Sequence, residues 1–159
     1  MKLKDPEVTI LKINHLLCES QSQSNKYVTF FYGILNHQTG MITYVNAGHP
    51  YPLVIKRNGE VIRLETGGTV LGFFQDANYK KGVYHVERGD IMILYTDGVS
   101  ELTNREEEEF GVDRIVSTLR QHQQESVTVI REQLIQALHR HREQHPQGDD
   151  ITFVLLKRL

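Results

Sequence analysis

A single cysteine, Cys18, stands in 159 residues. No disulfide framework can form within such a chain, which suits a reducing compartment. Long apolar runs are missing as well. None approaches the roughly 18 residues that a transmembrane helix needs. The opening "MKLKDPEVTI" has no apolar stretch of the signal-peptide kind. Neither sign of charge dominates. The net charge of −2 is too small to argue for nucleic acid or an anionic membrane surface. Internal repeats, linkers and low-complexity segments are absent too. What remains is an ordinary globular composition, 39% hydrophobic and 24% charged, in a chain long enough for one domain with a sizeable core. The expectation is a soluble, cytoplasmic protein that binds neither nucleic acid nor membrane.

Turn and cap chemistry divides the chain. "DPEVTILKINHLL" opens with Asp5 as N-cap and Pro6 at the first helical position, and Ile10, Ile13 and Leu17 recur at helical spacing. Strand-like "KYVTFFYGIL" (26–35) and "MITYVNA" (41–47) are joined by "NHQTG". "YPLVIK" and "EVIRL" flank Asn58-Gly59, a strong hairpin signal. After the loop "TGGTVLGFF" come "YKKGVYHV" and "IMILYT". The acidic run Glu106–Glu109 reads as a solvated helix start. Helices are predicted over "FGVDRIVSTLRQ" and "SVTVIREQLIQALHRHRE", the second capped by Ser126 with a stripe of Ile130, Leu134 and Leu138. "ITFVLLKRL" closes as a strand. One helix, six or seven strands, two helices and a strand argue for an α+β, largely antiparallel fold.

Two strand ends are tipped with carboxylate. "IMILY" runs into Asp97-Gly98, and Asp149-Asp150 immediately precede "ITFVLL". Carboxylates on rigid strand ends suit hard cations such as Mg²⁺ or Mn²⁺. Gly98 allows close approach of the backbone. Each motif alone also reads as a turn or a solvated loop, and their joint appearance strengthens the metal reading. Asp150 reads as a supporting acid or a cap. His49, in "NAGHPYP", reads either as a proton carrier or phosphate contact, or as a residue that pins its turn. His139, His141 and His145 have no Cys partner and no HExxH pattern, so a solvated helix end is expected there. Cys18 reads as a packed thiol.

"YVTFFYG", "YVNAGHPYPLV", "VLGFF", "ERGDIMILYTDGVSE", "FG" and "GDDITFVLL" occur in that order. The series resembles the PPM-type metal-dependent serine/threonine phosphatases, in the bacterial branch of sporulation stage II E and sigma-regulator phosphatases. The resemblance implies an αββα sandwich, two mainly antiparallel sheets packed face to face and flanked by helices. It implies two Mn²⁺ or Mg²⁺ ions, with Asp97 matching the aspartate of the family's Thr-Asp-Gly motif and Asp149 the first acid of its Asp-(Asp/Asn)-Ile-Thr motif, both metal ligands. Gly98, Asp150 and His49 would support them or line the substrate loop. No side-chain nucleophile is implied, since metal-activated water attacks phosphorus. The implied substrate is a signalling phosphoprotein of the anti-anti-sigma type.

One departure matters. The family's Asp-x-x-Gly-x-Gly motif, whose aspartate bridges both metals, has no match in this chain. The expectation is therefore that 1–159 forms a single, partial phosphatase domain without the family's N-terminal strands. Alone, it should be weakly active or inactive, with exposed sheet edges that favour a homodimer. The competing reading is a catalytically incomplete module that binds a signalling partner. An unrelated metal hydrolase would leave "NAGHP" and "VLGFF" unexplained.

Overall fold

A computed structural model describes residues 5–20, 26–143 and 145–159. The elements run α1 (Pro6–Ser20), β1 (Phe30–Leu35), β2 (Met41–Ala47), β3 (Leu53–Ile55), β4 (Val61–Arg63), β5 (Gly67–Gly68), β6 (Gly82–His85), β7 (Ile91–Tyr95), α2 (Asp97–Ser100), α3 (Gly111–Gln121), α4 (Val127–Arg142) and β8 (Phe153–Lys157). The α+β class and the grouping of strands match expectation. The single turn α2 adds a third helix to the predicted pair between β7 and β8. The chain divides into two compact units, Met1–Tyr51 with Leu64–Val86, and Pro52–Arg63 with Glu87–Leu159.

In the first unit, Asp5 caps α1 as its sequence predicts. Its Oδ1 accepts from Glu7 N at 3.0 Å and its carbonyl from Thr9 N at 3.0 Å. Lys81 pairs with the same carboxylate and holds it below the usual carboxylate range. The sheet follows the order β1-β2-β5, with β6 also on β2. β2 pairs antiparallel with β1 and β6, and parallel with the two-residue β5. Ile10 of α1 is buried with Val45, Ala47, Leu71 and Tyr79, and Ile13 and Leu17 pack against that cluster.

The buried polar centre of this unit is Asn14. Its Oδ1 accepts from Gly72 N at 2.9 Å and the Tyr79 hydroxyl at 3.3 Å, while its Nδ2 donates to Phe74 O at 2.8 Å. The amide thereby ties the "LGFF" loop to α1, and each buried polar group finds a partner. Cys18 Sγ donates weakly to the same Oδ1 at 3.9 Å, so the thiol sits in a structural network.

The second unit carries an antiparallel sheet in the order β4-β3-β7-β8. The Asn58-Gly59 hairpin forms, with Gly59 at φ +84° and Lys56 N donating to Glu60 O at 2.8 Å. Alternation along β3 and β7 sends Leu53, Ile55, Ile91 and Ile93 into a core shared with Ile115 and Leu119 of α3 and Ile130, Leu134 and Leu138 of α4. Ser126 Oγ accepts from Val129 N at 3.3 Å and starts α4 as expected. Glu106–Glu109 is a turn rather than a helix start, and α3 begins only at Gly111. The Asn104 side chain is the reason. Its Oδ1 accepts from Glu106 N at 3.0 Å and Glu108 N at 2.9 Å, which offers the backbone a local alternative to helix. Among the described residues, no helix is long and apolar enough to cross a membrane.

Burial, with a smaller contribution from Cys18, pushes the Tyr79 hydroxyl up to about 12. An unfolded tyrosine titrates near pH 10. The raised value contributes stability that is fully present below pH ~10 and is lost as pH climbs to about 12. Denaturant melts across this range should show a steeper loss of stability for the native chain than for Tyr79→Phe. Parallel losses in the two proteins would remove Tyr79 from the alkaline transition.

Candidate metal centre

The acidic tips meet because of one strand register. β7 and β8 pair antiparallel with Tyr95 opposite Phe153. Pairing continues one step beyond both strands, where Thr96 N donates to Thr152 O at 3.0 Å. The Thr96 hydroxyl clips the two ends together. Its Oγ1 accepts from Thr152 N at 3.2 Å and lies 3.2 Å from Asp150 O and 3.3 Å from Thr152 O, to either of which it donates. Asp97 then heads α2, and Asp149 and Asp150 enter β8 from the facing chain.

Gly98 is the point of closest approach. A Cβ there would lie 2.4 Å from Asp150 O and 3.5 Å from Asp149 Cβ. Gly98 sits in helical backbone within α2, so space rather than turn conformation requires glycine. Of the residues singled out in the sequence, Asp97, Gly98, Asp149 and Asp150 are thus brought together.

Each ligand candidate is half-tethered. Asp97 Oδ1 accepts from Gly98 N at 3.0 Å, and Asp149 Oδ1 accepts from Asp150 N at 2.7 Å. These local bonds fix the carboxylate planes and leave one oxygen of each for another partner. Beside Asp149 lies a cavity of about 240 Å³ lined by Gly98, Glu101, Leu102, Thr103, Gly148 and Asp149. Thr96 and Glu101 were not singled out in the sequence, although both lie in "YTDGVSE". Their signal was adjacency to Asp97, and only the cross-strand geometry shows what they do.

A pair of carboxylates is a donor set that one hydrated Mg²⁺ or Mn²⁺ ion takes, since Mg²⁺ usually keeps several waters and takes one or two carboxylates. It does not fit a two-ion centre. Among the described residues, no group of three or more His, Cys, Asp or Glu is placed to hold a metal.

The histidines have other work. In the first unit, His49 N donates to Asn46 Oδ1 at 2.9 Å and Asn46 Nδ2 donates to His49 O at 2.9 Å. His49 Nδ1 is 2.9 Å from Pro50 O, an acceptor, so Nδ1 carries the proton in that contact. Gly48 turns this loop at φ +74°. His141 Nε2 donates to Glu108 O at 2.9 Å and its ring meets Phe110 edge-on at 5.4 Å, which pins the acidic turn to α4. His139 lines an adjoining cavity of about 300 Å³ with Leu138, Arg142 and Phe153, and Leu102 borders both cavities.

Comparison with known proteins follows the same lines. The family model described as "Stage II sporulation protein E (SpoIIE)" matches residues 1–159. Phosphoserine phosphatase RsbU of Bacillus subtilis is 34% identical over 93 residues, which cover 58% of this chain and 28% of RsbU. The SiaA PP2C domain of Pseudomonas aeruginosa superposes with a TM-score of 0.83 at 19% identity, covering 97% of this chain and 61% of that one. RsbX, solved in complex with magnesium, superposes with a TM-score of 0.66 at 24% identity, covering 96% of this chain and 64% of RsbX. The chain spans between 23% and 34% of the length of the curated relatives it matches. Its fold is that of the PP2C, or PPM-type, phosphatases, and the chain belongs to the SpoIIE family.

Proposed function

We propose that this chain carries part of the catalytic apparatus of a cytoplasmic, metal-dependent protein serine/threonine phosphatase. Its substrate is a signalling phosphoprotein of the anti-anti-sigma type. The observation that carries the reading is the approach of Gly98, next to Asp97, to Asp149 and Asp150 across the β7–β8 strand ends in a chain of the SpoIIE family. RsbU, a relative, is named a phosphoserine phosphatase. We read residues 1–159 as one partial domain of this type.

Asp97 and Asp149 would hold Mn²⁺ or Mg²⁺ through the carboxylate oxygens that their tethers leave open. When bound, such a cation supplies the positive charge that lowers the pKa of water and offsets the charge of the phosphoryl oxygens. Gly98 keeps the strand ends close, and Thr96 holds the register that places them. Water is the nucleophile, and the products are the free hydroxyl side chain and phosphate. Ser100 is not a nucleophile candidate, because its hydroxyl donates to Asp97 O at 3.2 Å. Asp150 supports the site through its main chain, since its carbonyl is what approaches Gly98 and Thr96. His49 lines the substrate loop that Asn46 holds in shape.

A second reading has its own observation. The described residues offer two carboxylates and no third ligand, which suits a module that binds a signalling partner without turning over phosphate. Edge exposure also bears on partners. β1 and β8 end their sheets among the described residues, and none of their residues is fully buried despite the apolar sequences "FFYGIL" and "FVLLK". Unpaired backbone on such strands pairs readily with another chain.

Three measurements follow. Calorimetric titration with Mn²⁺ should show weak binding, and both Asp97→Asn and Gly98→Ala should abolish it. The first removes a charged donor, and the second drives a methyl group into Asp150 O. Tight binding by the native chain, or unchanged binding by both variants, would contradict the two-carboxylate site. Hydrolysis of p-nitrophenyl phosphate should be slow or absent for 1–159. Within a longer polypeptide that supplies a third carboxylate it should become Mn²⁺-dependent and be lost in Asp97→Asn; full activity of that variant would leave only the binding-module reading. Light scattering at micromolar concentration should give a dimer mass or larger, whereas a clean monomer would mean that the β1 and β8 edges are self-sufficient.

A further inference from the structure

The segment that carries Asp149 runs from the end of α4 to the start of β8, and packing does little to hold it. Gly148 and Asp149 are exposed, and a Cβ at Gly148 would meet nothing within 4 Å. On the β8 side the next residues are anchored, since Asp150 O and Thr152 N both lie against the Thr96 hydroxyl. Among the described residues, the α4 side is tied by one side chain. Gln147 Nε2 donates to Asp149 O at 2.7 Å, and Gln147 Oε1 accepts from Arg142 Nη1 at 3.3 Å.

The chemistry of the partners fixes the direction of this amide. A guanidinium only donates and a carbonyl only accepts, so Oε1 faces Arg142 and Nε2 faces Asp149. The bridge also starts from a fixed point. Arg142 stands one turn beyond Leu138 on α4, and Leu134 and Leu138 lie in the core with Ile93 and Leu102. Glu143 N donates to His139 O at 3.0 Å and His145 N to Arg142 O at 2.9 Å, which closes the helix. Glu143 turns the chain back at φ +54°. The route from core to carboxylate is therefore Leu138, Arg142, Gln147 and the Asp149 main chain. Asp149 Oδ1 is held by Asp150 N, so placing the main chain also places the second carboxylate oxygen.

Resting on the metal-centre reading above, we propose that Gln147 is a positioning residue for Asp149. By bridging the Arg142 guanidinium to the Asp149 carbonyl, it holds the free carboxylate oxygen in place for a hydrated Mn²⁺ or Mg²⁺ ion. Its action on the ion runs through Asp149. Both bonds lie at the surface, so their loss costs the fold little. Metal affinity is more sensitive, because groups that orient a ligand typically change it by roughly 10–100-fold.

The test is a Mn²⁺ titration of the whole chain, read by paramagnetic broadening of the Gly98, Asp149 and Asp150 amide signals and reversed by EDTA. Gln147→Met keeps the length of the side chain and removes both polar ends. It should weaken Mn²⁺ binding by roughly tenfold, while the urea midpoint stays that of the native chain. Without metal, the same variant should lower the heteronuclear NOE of the Asp149 and Asp150 amides and leave those of Ile91 and Tyr95 unchanged. Arg142→Met should weaken binding in the same direction, and Arg142→Lys, which still carries a donor for Gln147, should recover most of it. Equal Mn²⁺ affinity in the native chain and Gln147→Met overturns the positioning role and leaves the metal centre standing. A native chain without EDTA-reversible broadening overturns both. Weaker binding that comes with a lower urea midpoint also overturns the positioning role, since the loss then belongs to the fold.

Discussion

The antiparallel pairing of β7 with β8 is the constraint on which the second unit depends. Its register places Tyr95 opposite Phe153, and the Thr96–Thr152 bonds carry it one step further. From that single alignment both strand ends acquire their chemistry. One end brings Gly98, next to Asp97, against Asp149 and Asp150, and the other joins Gly89 and Asp90 to Arg158. A slip of one residue would invert every side chain of β8 relative to the core and separate both groups. The buried Ile91 and Ile93 resist such a slip, because they lock β7 against α3 and α4.

Loops in both units are shaped by buried polar side chains that accept or donate main-chain hydrogen bonds. Asn14 holds the segment around Gly72 and Phe74, Asn46 closes the loop of His49, and Asp90 joins the segments of Arg57, Glu87 and Arg158. All three are nearly or wholly inaccessible to solvent. An unpaired polar group in such a place costs about 1–3 kcal/mol, so each of these loops is held in one arrangement. Rigid loops around strand ends are what a metal ligand requires, since small displacements of a donor weaken coordination.

Much of the architecture was legible in the sequence. The cap at Asp5, the Asn58-Gly59 hairpin, the Ser126 cap and the stripe of Ile130, Leu134 and Leu138 all lie within a few residues of the structure they specify. The acidic run 106–109 was misjudged because four glutamates carry helix propensity, whereas one asparagine two residues earlier carries a competing turn. The brief α2 was missed because a single helical turn has no periodicity to detect.

By itself, the sequence determined which strand ends carry acidic residues and which segments become strands or helices. Asp97, Asp149 and the apolar runs beside them are properties of neighbouring residues, and neighbours act through local sterics and alternation. Only the tertiary structure decided what meets what. That Gly98 is needed for space, that Thr96 clips two distant segments, and that Asp90 joins the segments of Arg57 and Arg158 are consequences of strand pairing and packing. Contacts of Gly98 with Asp150, or of Asp90 with Arg57 and Arg158, arise from the register of chains far apart in sequence, and no local pattern encodes that distance.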